Sequence, residues 1–260
     1  MSGSAASDDG PVAAAAPDAN GPAAAPDLDA DGPAAAPDQR IVDLVAALED
    51  KADPSRADAM AAYMRHQFEF LGLAAPLRRK VAKDFMGSFA GSGQDELFAA
   101  VEQLWRLEPR ELVYVGTDLL RTHWRVLEPD SLPRLRSLVL DRSWWDSVDP
   151  LAHVVGVLVL NHRELAAEMD RWIEDDNRWI VRVALLHQLS WKGATDTERL
   201  FGYCRRRGGD EDFFIRKAIG WALRDFAHTH PEDVRDFVAR HGAELSSMSV
   251  SEATKNLPKG

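Results

Sequence analysis

From Gln39 onward the chain is punctuated by Pro, Gly and Asp, and between those breaks apolar residues recur three and four apart. That spacing lines one face of a helix, whereas almost nothing alternates at period two, so sheet is improbable. Ile41, Leu44, Val45 and Leu48 form a first stripe. Asp53-Pro54 starts a second helix, through Met60 and Tyr63 towards Phe68, and Ala75-Pro76 opens a third carrying Leu77, Val81 and Phe85. Residues 95–107 and 109–124 read as an antiparallel pair. Further helices are expected over 133–140, 144–160, 162–173, 177–189, 195–207, 211–228 and 231–241, with a short one near Ser251. An all-α architecture of about a dozen helices with short breaks fits a solenoid of stacked helical pairs, with a long concave face. A compact orthogonal bundle is the alternative that periodicity leaves open.

The stretch before those helices is different in kind. Residues 1–39 hold six Pro, seven Asp and no Lys or Arg, and a Gly-Pro pair recurs at Gly10-Pro11, Gly21-Pro22 and Gly32-Pro33. Frequent Pro breaks helix and Ala offers little apolar surface to offset ordering, so 1–39 is expected to be a disordered acidic tail. It lacks the basic start and apolar core of a secretory signal. Residues 40–260 then suffice for one well-buried domain. The formal charge of −11 overstates its acidity. Taking the tail's seven acids from the total of 42 leaves 35 against 31 bases, a net of −4, so any polyanion site must be a local patch. Cys204 is the only cysteine, which excludes a disulfide framework and points to a reducing cytosol. No run approaches the length of a membrane span.

Chemistry concentrates at Ser143-Trp144-Trp145-Asp146-Ser147-Val148-Asp149. On a helix Trp145 and Asp149 share a face, while Trp144, Val148, Leu151, Val155 and Leu158 make a core stripe. Two readings compete for the carboxylates. Ser143 with Asp146 looks like a capping box and Asp149-Pro150 like a helix start, which needs no chemistry. Alternatively Asp149 is a carboxylate presented beside an indole. A helix begun at Trp144 would carry Pro150 inside it and should kink there.

Elsewhere, bases and aromatics coincide. Lys217 and Arg224 bracket Trp221 on a helix whose core is Phe214, Ala218, Ile219, Ala222 and Phe226. Either the indole reads a nucleic-acid backbone, or it packs while the cations lie over it. Arg182 intrudes into an apolar helix, to pair with a buried carboxylate or to face a charged ligand. Arg78, Arg79 and Lys83, and the run Arg205-Arg206-Arg207, are solvated surface or phosphate contacts. There is no Gly-rich phosphate loop, no His-Glu-x-x-His pair and no serine-hydrolase elbow, and the eight histidines show no zinc spacing. An enzyme here must work with carboxylate, guanidinium and indole. Breaking an N-glycosidic bond suits that set, because a fixed carboxylate stabilises charge developing on the sugar.

Four stretches carry a closer resemblance: 63–73 (YMRHQFEFLGL), 143–149 (SWWDSVD), 172–177 (WIEDDN) and 213–224 (FFIRKAIGWALR). With these in order, the chain resembles the DNA alkylation repair family, the HEAT-like-repeat alkylpurine DNA glycosylases. The resemblance implies a right-handed solenoid of antiparallel HEAT-like repeats whose concave groove binds double-stranded DNA. It further implies excision of cationic N3- and N7-alkylated purines without metal or cofactor, and without flipping the base into a pocket. By motif position Asp149 is the catalytic carboxylate, Trp145 and Trp221 flank the lesion, and Arg182 contacts the DNA backbone. Lys217, Arg224, Arg78, Arg79 and Lys83 are the further backbone contacts expected. A monomer in the cytoplasm, associated with the nucleoid when bound to DNA, is the expected state. A non-catalytic lesion-binding repeat protein and a protein-binding scaffold are the alternatives.

Overall fold

The computed structural model describes residues 38–257, and among them there are fourteen α-helices and no strand. The acidic tail expected over 1–39 thus lies outside the described residues except for its last two. Asp38 caps the first helix, α1 (Gln39–Glu49), through the Arg40 N–H. Next come α2 (Pro54–Tyr63), α3 (Ala75–Val81), α4 (Lys83–Gly87), α5 (Gln94–Trp105), α6 (Arg110–Thr122) and α7 (Leu132–Leu140). They are followed by α8 (Trp145–Asn161), α9 (Ala166–Trp172), α10 (Arg178–Leu186), α11 (Thr197–Arg206), α12 (Phe213–Ala227), α13 (Pro231–His241) and α14 (Ser247–Thr254). No described helix is long and apolar enough to cross a membrane.

Most starts follow the expected punctuation. Asp53, Asn177, Asp196 and Asp212 each accept a backbone N–H from the first turn of the helix they precede. The expected second and third helices are shorter than the apolar pattern suggested. Helix α2 stops at Tyr63 because Arg65 and His66 adopt φ of 55° and 54°, and Ala82 divides the third stripe into α3 and α4. After α2 the chain runs back along α6. There the buried Glu111 carboxylate accepts the N–H groups of Leu71, Gly72 and Leu73 at 3.0, 2.9 and 3.1 Å. Gly72 sits at φ 88°, and a Cβ there would fall 2.1 Å from the Asp53 carbonyl oxygen, so only glycine fits this return.

Helices α6, α8, α10, α12 and α14 lie each against the next, and α5, α7, α9 and α11 pack on α6, α8, α10 and α12 respectively. One hydrophobic core runs through the whole set, from Ile41 to Ala253. The approach of α8 to α10 depends on Gly156. A Cβ at that position would lie 1.9 Å from the His187 carbonyl oxygen. Trp144, Trp179 and Phe214 lock the other end of the same helices, with ring centroids 5.8, 5.3 and 4.8 Å apart pairwise. Trp144 is therefore core, as its stripe implied.

Candidate active site

Helix α8 begins at Trp145, is capped by Trp144 without a side-chain bond, and continues unbroken through Pro150. Both capping readings are thereby overturned. Ser143 Oγ donates instead to the Val139 carbonyl at 2.6 Å, and Asp149 is interior to the helix rather than at its start. Pro150 has no N–H to offer the carbonyl four residues back, at Asp146. The two carboxylates of α8 are held by two different arginines from the helices on either side.

Asp146 faces α6. Its Oδ2 accepts Arg110 Nε at 2.9 Å and the Tyr114 hydroxyl at 2.5 Å, and its Oδ1 accepts Arg110 Nη2 at 2.7 Å. Arg110 is fully buried, with its guanidinium 3.6 Å from the Phe68 ring centroid, and also donates to Ser147 Oγ and the Arg142 carbonyl. Burial first, and then the Asp146 charge, push the Tyr114 hydroxyl far above its ordinary range, so it remains a donor.

Asp149 faces α10. Arg182 Nε donates to its Oδ1 at 2.6 Å and Arg182 Nη2 to its Oδ2 at 2.8 Å, the bidentate fork that fixes a carboxylate plane. Arg182 Nη1 donates to the Phe214 carbonyl at 2.6 Å, which ties the same guanidinium to α12. Its charge lies 5.2 Å from the centroid of the half-buried Trp221 ring. The Arg182 side chain is 2% exposed but Asp149 is 21% exposed, so the carboxylate is the accessible member of the pair. One turn before Asp149 on α8, the half-buried Trp145 meets Tyr63 edge-on, centroids 6.0 Å apart. Asp149, Arg182 and Trp221 are thus joined by direct contact, with Trp145 on the same face of α8.

The residues expected at the DNA backbone differ in how far the protein itself engages their charge. Arg182 is enclosed, with three donors engaged, so it orients Asp149 instead of offering a free cation. Lys217 and Arg224 do not lie over Trp221. Both reach Glu252 on α14, at 2.9 and 2.6 Å, and Arg182 supplies the cation beside the indole. Burial disfavours the Glu252 charge, but the Lys217 bond and the charges of Lys217, Arg224 and Lys255 prevail and hold it below the usual range. Arg78 is buried against Asp118 at 3.2 Å and Tyr114, whereas Arg79 and Lys83 remain exposed. Arg205, Arg206 and Arg207 are each paired with a carboxylate, so that run offers no free cluster. No group of His, Cys, Asp and Glu among the described residues could hold a metal ion. Cys204 is buried, and burial raises its thiol pKa, so it is no nucleophile. Tyr63 was legible only as part of a motif. Its contact with Trp145 depends on where α2 ends, which periodicity did not reveal.

An all-helical body with an accessible, guanidinium-held carboxylate and an indole against the same guanidinium defines the class. The family model of the DNA alkylation repair enzyme matches residues 44–257, and the chain belongs to that family. It is also similar to the solved structure of a predicted DNA alkylation repair enzyme from Enterococcus faecalis, with a TM-score of 0.76 and 30% identity over 80% of this chain and 98% of that one. No curated protein matches the chain. Membership supports an enzyme role in DNA alkylation repair, with DNA as substrate.

Proposed function

We propose that the chain is a DNA glycosylase that hydrolyses the N-glycosidic bond of cationic N3- or N7-alkylated purines in duplex DNA. The observation that carries this reading is the Asp149–Arg182 pair, a fixed and accessible carboxylate with Trp145 one turn before it on α8 and Trp221 beside the arginine. In the reaction the bond from the sugar C1′ to the base nitrogen breaks, and its electron pair passes to the base, cancelling the positive charge of the alkylated purine ring so that it leaves as a neutral base. No general acid is needed. Positive charge grows on the sugar, and the Asp149 carboxylate, held by Arg182 before the reaction begins, stabilises it without reorganising. Water then adds to C1′, aligned by the carboxylate, and its proton leaves to Asp149 or solvent. The indoles serve as apolar plates against the sugar and backbone, on the concave side of a HEAT-like solenoid with the lesion base left stacked.

The test is release of 7-methylguanine from methylated duplex by the wild type and by Asp149→Asn. Removing such a stabilising charge should lower release about 10²- to 10³-fold while duplex binding is kept. Binding without release by the wild type would leave a non-catalytic DNA binder. Neither release nor binding would leave a protein scaffold.

A further inference from the structure

Three acids alternate just ahead of α1. Asp27, Asp29 and Asp31 are separated by Leu28 and Ala30, within residues 1–37 that hold six Asp and no Lys, Arg or Glu. They lead into α1, which packs on α3 and α4 and whose Arg40 lies 4.1 Å from the centroid of the Phe89 ring. Phe89 is six residues past Lys83, and Lys83 lines a cleft of about 580 Å³ between α3, α4, α6 and α8. The lining carries Arg78, Arg79, Lys83 and Arg121 against one carboxylate, Asp118. The three guanidiniums converge on it at 3.2, 3.5 and 3.8 Å, so a single negative charge is shared three ways. Arg78 is buried and its Nε finds no acceptor among the described residues. An unmet buried donor is costly, and the described fold alone does not satisfy this cluster. Trp124, Val154 and Val157 give the cleft an apolar wall.

We propose that residues 27–31 of the same chain dock in this cleft and hold it against duplex DNA. Four cations facing one carboxylate match the three carboxylates that the segment carries. In extended backbone alternate side chains point to opposite sides, so Asp27, Asp29 and Asp31 meet Arg79, Lys83 and Arg121 while Leu28 is left for the apolar wall. The reach suffices. Seven residues from Asp31 to Asp38 span up to about 25 Å when extended, against about 10 Å from Phe89 back to Lys83 at helical rise. Tethering makes the encounter intramolecular, with an effective concentration in the millimolar range, so weak contacts are enough. A second copy of the chain lacks that advantage. That DNA is what the segment displaces rests on the proposed function, but the docking does not.

The experiment uses the full chain in two arms. Cys204 is buried, so a nitroxide on Ala25→Cys labels that position selectively and leaves the docking segment intact. At low salt it should broaden the Trp124 indole resonance and the amides of α3 and α4, and spare those of α13. Added unmodified duplex, or Lys83→Gln with Arg121→Gln, should restore the lost signals. The second arm measures duplex binding by the wild type and two triple variants that lose the same charge. One is Asp27→Asn with Asp29→Asn and Asp31→Asn, and the other is Asp8→Asn with Asp9→Asn and Asp18→Asn. The first should bind unmodified duplex a few-fold tighter than the wild type, and the second should stay near it. The gap should close as salt shortens the Debye length from about 10 Å at 0.1 M to about 3 Å at 1 M. No broadening in the cleft, or equal tightening in both triple variants, overturns the docking. Broadening with unchanged duplex binding in the first variant overturns the competition. Failure of the glycosylase reading would be seen separately, as absent base release, and leaves the nitroxide arm to decide the docking.

Discussion

Asp146 and Asp149 are three residues apart on one helix, each gripped by an arginine from a neighbouring helix, yet they do different work. Asp146 accepts three hydrogen bonds and is itself buried. A carboxylate has about four acceptor positions, so little remains for anything else. Asp149 accepts two, both from Arg182, and keeps its remaining lone pairs on a side that solvent reaches. A turn of α8 thus separates a bolt from a candidate catalyst. The lesson is that an arginine–carboxylate pair says nothing of function until the unused acceptor capacity and its exposure are known.

The contrast is broken most directly by Asp146→Ala. Arg110 would be left buried without a counter-charge, a change that costs about 3–5 kcal/mol in comparable pairs. The urea midpoint should fall sharply, while base release per folded molecule stays near the wild-type value. Asp149→Asn should chiefly lower base release, with a smaller loss of stability than Asp146→Ala, because Asn Oδ1 still accepts one of the two Arg182 bonds and position 149 is partly solvated. Equal losses of stability in the two variants would erase the distinction.

A second prediction concerns the wall behind α8. His187 is buried with Nδ1 on the Ala184 carbonyl at 2.7 Å, and desolvation lowers its pKa to about 4, with Arg199 pushing the same way. The folded value lies below the unfolded value near 6.5, so between those limits the unfolded chain binds more protons. Stability is therefore complete above about pH 6.5 and falls as pH drops towards 4, by about 3 kcal/mol in all. Denaturation at pH 7 and pH 5 should show this slope in the wild type and a flatter one in His187→Gln. An unchanged slope in the variant would remove His187 as its cause.

Much of this was legible in the residues. The helical stripes, the Asp and Asn caps and the core role of Trp144 follow from period and cap chemistry, which are local. The triad of Asp149, Trp145 and Trp221 came from motif position, and the structure joins Asp149 to Trp221 only through Arg182. What stayed hidden was long-range pairing. That Arg110 takes Asp146, that Arg182 takes Asp149, and that Glu252 claims Lys217 and Arg224 all join residues 28 to 36 apart on every second helix. Local spacing cannot say which carboxylate meets which arginine. Positive φ at Arg65 and His66, which ends α2 beneath Trp145, has no signal in an apolar pattern.

The smallest predicted effect tests that hidden pairing on α12. Gly220 lets α14 approach so closely that a Cβ there would sit 2.4 Å from Glu252 Cβ, and this places one carboxylate between Lys217 and Arg224. All three side chains are partly exposed, so the pairs add little to stability, on the order of 1 kcal/mol or less. Their larger consequence is electrostatic, since Glu252 cancels one of two cations on the helix that carries Trp221. Glu252→Gln should leave the denaturation midpoint nearly unmoved and tighten duplex binding a few-fold at low salt. Its salt slope should steepen by up to about one as the released cation displaces a counterion. Weaker or unchanged binding would mean that Lys217 and Arg224 serve α14 alone.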